Sequence, residues 1–198
     1  MKKISVFFIF LLIAGAMAGQ SASISGKVYK VNGQTMAGVT VQAFDAGGNQ
    51  VASVQTDAAG DYILEGLPTG VTYTIEPALG GPHYNGVTTY DIVLGAQHIL
   101  GLQSLNNPFY IIAADVNQSQ SLTTFDLVQM RRLVLQIIEE FPDSPSWRFF
   151  RNDIGFVYPN NPWAGYMGGV NFIALNEDIA GFDFTGVKTG DLNGNAQP

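Results

Sequence analysis

No cysteine occurs among the 198 residues. No disulfide can brace this chain, and no thiolate can serve as nucleophile or zinc ligand. Stability must come from packed cores and from any bound metal. Histidine is nearly as scarce, with His83 in a Gly/Pro-rich stretch and His98 in a helical pattern, each read as solvent-exposed and neither beside a ligand-type partner. Gly-x-Ser-x-Gly, His-Glu-x-x-His and a phosphate-cradling glycine loop are all missing, so the common nucleophilic, zinc-protease and nucleotide chemistries have no foothold. Basic residues number 9 against 16 acidic ones, and no basic patch forms, which excludes a nucleic-acid partner.

Only one long apolar run exists. Residues 1–18 combine Lys2-Lys3, an apolar stretch from Ile4 to Ile13 and the small-residue ending Ala16-Met17-Ala18. That is the pattern of a secretory signal, with cleavage expected before Gly19. Loss of Lys2 and Lys3 leaves 7 basic and 16 acidic residues, a net charge of −9. The expected product is secreted, extracellular or at the cell surface, with no membrane span after signal cleavage. An acidic secreted chain suits divalent cations.

The most informative stretch is Asp115-Val-Asn117-Gln-Ser119-Gln-Ser121-Leu-Thr123-Thr-Phe-Asp126. Side-chain oxygens fall at positions 1, 3, 5, 9 and 12 (Asp115, Asn117, Ser119, Thr123 and Asp126), and Ser121 at position 7 offers its carbonyl. This is the donor rhythm of a Ca2+ loop opening into a helix, because a hard cation needs about six or more oxygens at 2.3–2.6 Å. Position 6 is Gln120 rather than glycine, and position 12 is the shorter Asp. With two carboxylates the expected affinity is weak, roughly 10⁻⁴–10⁻³ M. The bland reading is a polar turn with a helix cap, since Thr123-x-x-Asp126 is also a capping box.

Residues 86–102 and 121–137 repeat at an offset of 35. Each copy opens with Thr-Thr-aromatic-Asp and continues as a predicted helix of about four turns. Ile92, Gly95/Ala96, Ile99 and Leu102 form one stripe, and Leu127, Met130, Val134 and Ile137 the other. Helices this short should bury those stripes against each other.

Residues 23–76 read as strands near 24–29, 39–44, 51–56, 61–64 and 71–75, separated by Asn-Gly, Gly-Gly and Pro-x-Gly turns. Ile24-Ser-Gly26, Ala37-Gly-Val39-Thr-Val41 and Thr56-Asp57-x-x-Gly60-x-Tyr62-x-Leu64-x-x-Leu67-Pro68-x-Gly70-x-x-Tyr73 carry a resemblance to the carboxypeptidase regulatory-like family, near the collagen-adhesin B-type repeats. It covers about 55 residues. It implies a prealbumin-like β-sandwich that acts as spacer or stalk. Some members of that family bind starch, but this segment contains no tryptophan platform.

Ala113-Ala-Asp115-Val-Asn117, the loop to Asp126, the doubled Thr-Thr-aromatic-Asp entry and the 35-residue repeat together resemble a type I dockerin. The resemblance covers about 60 residues. It implies a two-helix EF-hand-type calcium module whose partner is of the cohesin type or another cell-surface scaffold. By the same resemblance the docking positions are Thr89, Tyr90, Ala96 and Gln97 in one copy, and Thr124, Phe125, Arg131 and Arg132 in the other. The first loop departs from the pattern. Counting back from Asp91 puts Gly80, Pro82 and Tyr84 at positions 1, 3 and 5, and none is a ligand. Asp191-Leu-Asn193-Gly-Asn195 has the missing 1, 3, 5 spacing. The expectation is that Asp191, Asn193 and Asn195 meet the Gly86 carbonyl, Thr88 and Asp91 to complete one site. The alternative is a solvated terminal tail.

Residues 142–198 are rich in aromatics and broken by Pro142, Pro145, Pro159 and Pro162, with one short strand near 183–188. The rings either extend the core or stack on a polysaccharide. The expected fold class is α+β: signal peptide 1–18, antiparallel β-sandwich 19–78, dockerin-like helix pair 79–141, and an irregular aromatic extension 142–198 closing on the helix pair. The expected role is non-catalytic, calcium-dependent protein docking. A carbohydrate-binding accessory, or the accessory part of a polysaccharide-degrading hydrolase, is the alternative.

Overall fold

A computed structural model describes residues 20–153, 155–164 and 172–198, so the signal segment expected over 1–18 lies outside the described residues. The chain folds as mixed α+β, with two four-stranded sheets and three helices among the described residues.

Five strands fall where alternation and turn residues place them: β1 (Ser21–Lys30), β2 (Thr40–Phe44), β3 (Gln50–Gln55), β4 (Asp61–Pro68) and β5 (Val71–Ala78). Period two buries Val41 and Ala43 of β2, Tyr62 and Leu64 of β4, and Tyr73 and Ile75 of β5 on the inner face. Left-handed glycines close the tight turns at Gly48, Gly60 and Gly70.

The helices are α1 (Thr89–Ile99), α2 (Pro108–Ala114) and α3 (Thr124–Val134). Helix α2 has no counterpart in the sequence pattern. Asn107 caps it by accepting from the Phe109 N–H, and Pro108 sits at its first turn. Helices α1 and α3 pack together at Gly95, where an added Cβ would lie 2.6 Å from Leu127 Cδ2. Each has three turns rather than four. Their C-caps are Leu100 and Leu135, and left-handed Gly101 and Gln136 end them. Leu102 and Ile137 therefore leave the expected stripe and are exposed, Ile99 at the last position of α1 is exposed as well, and Met130 and Leu133 are buried.

The expectation of an irregular extension over 142–198 is corrected. Three further strands, β6 (Trp147–Arg151), β7 (Phe172–Leu175) and β8 (Phe184–Lys188), join the two sheets. The orders are β4-β1-β8-β6 and β3-β2-β5-β7, with β8 parallel to β1. The physical reason is edge pairing. Without β7 and β8, the outer edges of β5 and β1 would expose rows of unpaired N–H and C=O groups. Trp147, Phe182 and Phe184 fill the sandwich core, while Phe141 joins a second core beneath the helices with Ile111, Val116, Met130, Leu133 and Leu192.

The histidines also differ from expectation. His83 is half-buried: its Nδ1 accepts from the Phe141 N–H at 3.1 Å, and its ring meets Phe141 edge-on. His98 Nδ1 accepts from the Leu105 N–H at 3.0 Å and pins the loop after α1.

Candidate metal centre

Helix α2 delivers Asp115 at its C-cap, with the side chain wholly buried. Asp115 Oδ1 accepts from Ser119 N at 2.9 Å, and Oδ2 accepts from Gln120 N at 2.9 Å. Asn117 Oδ1 accepts from Ser119 N at 3.1 Å. Ser119 Oγ lies 3.4 Å from Asp115 Oδ1, 3.2 Å from the Ser121 carbonyl and 3.1 Å from Ser121 Oγ. Gln118 and Gln120 take left-handed backbone angles (φ 54° and 62°), which curl the loop.

Asp126 closes this loop from the start of α3 and is wholly buried. Its Oδ1 accepts from Val116 N at 3.1 Å; its Oδ2 accepts from Thr123 N at 2.8 Å and Thr123 Oγ1 at 2.9 Å. The capping box is thus formed, and the same carboxylate also ties back to the loop's first residues. The cap and the curled loop coexist.

The segments 86–91 and 191–196 are also brought together, through Asp91 and Leu192 and through Gly86 and Ala196. Leu192 N donates to Asp91 Oδ1 at 2.8 Å, as Val116 N does to Asp126. Asp91 Oδ2 accepts from Thr88 N at 2.8 Å and Thr88 Oγ1 at 2.8 Å, repeating the Thr123 pair. Asp191 Oδ1 accepts from Asn195 N at 3.4 Å and Oδ2 from Ala196 N at 2.9 Å, matching Ser119 and Gln120 on Asp115. Asn193 Oδ1 accepts from Asn195 N at 3.1 Å, as Asn117 does from Ser119. Left-handed Gly194 stands where Gln118 stands. Gly86 has φ +76°, and a Cβ there would lie 2.6 Å from Ala196 Cα, so only glycine fits. The 191–196 segment is therefore packed, not a solvated tail.

Four buried carboxylates, two per cluster, dominate the electrostatics. Burial pushes the Asp115 carboxyl up; the Ser119 and Gln120 N–H groups oppose this, the nearby Asp126 charge adds to it, and the Arg148 charge counters it. Burial pushes Asp91 up as well, against its Thr88 and Leu192 bonds, with the Asp191 charge raising it further. The ion pairs among the described residues are Lys27–Asp61 and Arg151–Asp153, and neither touches a cluster. Arg148 donates instead to the Ile112 and Asp115 backbone carbonyls. Lys188, pushed down to about 8 by burial with the Asp191 charge opposing, donates to the His83 carbonyl at 2.7 Å.

Both donor sets consist of carboxylate, amide, hydroxyl and backbone-carbonyl oxygen. That chemistry fits Ca2+ and not a nitrogen- or sulfur-seeking metal. No group of three or more His, Cys, Asp or Glu side chains forms among the described residues, so neutral oxygens must supply much of any coordination shell.

The docking positions divide. Tyr90 and Phe125 are 58% and 52% exposed, and Arg131 is exposed, whereas Ala96, Gln97 and Arg132 are half-buried. Sequence reasoning missed Val93 and Val128, which are 49% and 53% exposed. The signal was present: each lies three residues after the exposed aromatic, at the same 35-residue offset. The contacts of Asn85, Asn32 and Lys30 to residues 194–197 were also missed, and no spacing announces them.

Comparison with known proteins bears on the sandwich. No curated protein matches the chain. Among solved structures, the T6 backbone pilin of serotype M6 Streptococcus pyogenes is 19% identical over 29% of this chain and 12% of its own length, with a TM-score of 0.27. BcpA, the major pilin subunit of Bacillus cereus, is 18% identical over 31% of this chain and 19% of its own, with the same TM-score of 0.27. The chain therefore spans only a small part of either pilin. Among the described residues no helix is long and apolar enough to cross a membrane. Residues 23–97 match the family described as the Carboxypeptidase regulatory-like domain, and the sandwich that those residues build is similar to that domain.

Proposed function

We propose that this chain is a non-catalytic, calcium-dependent docking module that works outside the cell, with the β-sandwich as its spacer. The observation that carries the reading is the doubled helix entry. In each copy the aspartate of Thr-Thr-aromatic-Asp is buried in an oxygen-lined cluster, while the aromatic beside it and a valine one turn on face solvent: Tyr90 and Val93 on α1, Phe125 and Val128 on α3. A cation held by Asp115, Asn117, Ser119, Ser121, Thr123 and Asp126 fixes the start of α3, and so fixes where Phe125 and Val128 point. Exposed aromatic and aliphatic pairs of this kind are what protein interfaces bury at their centres. The partner is a protein of the cohesin type or another cell-surface scaffold.

The test is capture of a surface-protein partner by the immobilised mature chain. One arm contains calcium at about 5 mM, above the weak affinity range of roughly 10⁻⁴–10⁻³ M. The other contains chelator. Retention is expected in calcium only, and the double substitution Tyr90→Ser, Phe125→Ser should abolish it without changing the melting temperature by more than about 2 °C. Equal retention in chelator contradicts the reading. The aromatic residues give less support to a sugar surface. Trp147, Phe141, Phe182 and Phe184 are buried, and Tyr158 is exposed beside a shallow hollow with Pro159 and Asn160.

A further inference from the structure

We propose that the free edge of strand β3 takes up an extended segment of a partner protein as an added antiparallel strand. The segment is an alternating, uncharged run matched in length to β3, with Lys or Arg at its ends. The inference uses neither acidic cluster nor the exposed helix faces, and so stands apart from the calcium-dependent docking reading.

The first observation is a row of backbone groups with no strand beside it. Strand β3 ends its sheet, and β2 is its single strand neighbour among the described residues. Thr56 N donates to the Val39 carbonyl at 2.9 Å, and the register continues through Val41–Val54 and Ala43–Ala52. Bonded pairs alternate in an antiparallel ladder, so Val54 and Ala52 direct their N–H and C=O groups to β2. Those of Val51, Ser53 and Gln55 point the other way, and all three residues are exposed. The side chains agree. Ala52 and Val54 face the core but are only half-buried, whereas Val41 and Ala43 of β2 are buried completely. An added strand would cover Ala52 and Val54 and pair the open row.

The other edges are blunted and this one is not. Strand β4 carries Asp61, Glu65, Pro68 and left-handed Gly66; β6 carries Arg148 and Arg151; β7 has four residues. Strand β3, Gln50-Val-Ala-Ser-Val-Gln55, has no charge, proline or glycine, and its register shift touches only Gln50. A hollow lined by Val54, Gln55, Asp61 and Ile63 lies beside its last turn. Charge then selects the occupant. No Lys or Arg occurs between Lys30 and Arg131. Asp45 stands in the turn before β3 and Asp57 in the turn after it, and neither forms an ion pair among the described residues. A second copy of this chain fits poorly: antiparallel pairing centred on Ser53 sets Asp57 opposite Asn49, whose turn holds Asp45. A foreign strand with basic ends meets an acid at each end of an uncharged row.

The experiment titrates the full mature chain, in chelator and at low salt, with the end-capped peptide Arg-Val-Thr-Val-Thr-Val-Arg, read by amide hydrogen exchange. Without peptide, the Val51, Ser53 and Gln55 amides should exchange fast and those of Ala52 and Val54 slowly. Saturating peptide should slow the first three by about tenfold or more. In antiparallel register the peptide valines face Ala52 and Val54, and its threonine N–H groups face β3. N-methylation of the threonines should therefore abolish binding, and N-methylation of the valines should spare it. Glutamate in place of both arginines should weaken binding about tenfold. Ser53→Pro removes an N–H that β2 does not use; it should abolish binding and keep the melting temperature within about 2 °C. No slowing at about 1 mM peptide, or equal binding after threonine methylation, overturns the proposal. Equal binding by the glutamate peptide overturns the basic-ended partner. Slowing of the same three amides by raised protein concentration alone gives the edge to a second copy and overturns it too.

Discussion

Asp91 and Asp126 each divide one carboxylate between two tasks. One oxygen holds the capping threonine, and the other reaches a backbone N–H on a different segment. Among the described residues neither carboxylate forms an ion pair, so without metal each buried charge rests on N–H and O–H dipoles. For Asp91 the result is a carboxyl pushed up by burial from 3.8. The sign of the linkage follows. A carboxyl raised in the folded state contributes stability that is complete below its unfolded value and is lost as pH rises through its folded value. In chelator, wild type should therefore gain stability relative to Asp91→Asn as pH falls from neutral toward the carboxylate range. Melting temperatures of both proteins across that range, with and without calcium, check this; parallel curves in chelator would contradict it. The residue identities in both clusters were readable through spacing. That one carboxylate serves cap and cluster together was not, because it depends on where Val116 and Leu192 place their N–H groups.

Strands β1 and β8 show why part of the fold was readable and part was not. In β1, alternation is visible on either side of Gly26, with Ala22 and Ile24 before it and Val28 after it. Strand β8 is buried at every position, since the sandwich covers one face and α2 packs on the other. A strand covered on both faces shows no alternation, and Phe184-Thr-Gly-Val-Lys188 offers little else to mark its place in a sheet. Strands β6 and β7 were hidden for a related reason. Their partners are distant in sequence, so no hairpin turn announces them. Gly26 marks where the late segment crosses the early strand. Its ideal Cβ would lie 2.6 Å from the Phe182 carbonyl carbon, with the carbonyl oxygen closer still, and backbone cannot yield as a side-chain tip can. Gly26→Ala is expected to cost about 3 kcal/mol or more, read as a shift in the denaturant midpoint with an unchanged slope. A cost under about 0.5 kcal/mol would mean that the 178–183 segment does not pack on β1.

At the scale of the whole molecule, the early and late parts of the chain are interleaved. Residues after 146 supply strands to both sheets, and residues 191–196 return to the helices and to Lys30. The sandwich was readable as far as residue 76 from turns and period, and the helix pair from the 35-residue repeat. The closure of the two was foreseen only where Asp191, Asn193 and Asn195 carried a ligand spacing. The strand exchange that seats them leaves no local pattern. Cation binding, on this reading, is a property of the folded chain as a unit. A ligand that binds only the folded state raises its stability by RT ln(1 + [L]/Kd), about 2.7 kcal/mol at a hundredfold excess over Kd.

Differential scanning calorimetry of the mature chain, first stripped with chelator and then in saturating calcium, tests this most directly. One cooperative transition is expected, moving up by roughly 5 °C or more with calcium. Asp126→Ala is expected to remove most of this shift. Superimposable transitions with and without calcium would contradict the cation reading of the Asp115 loop.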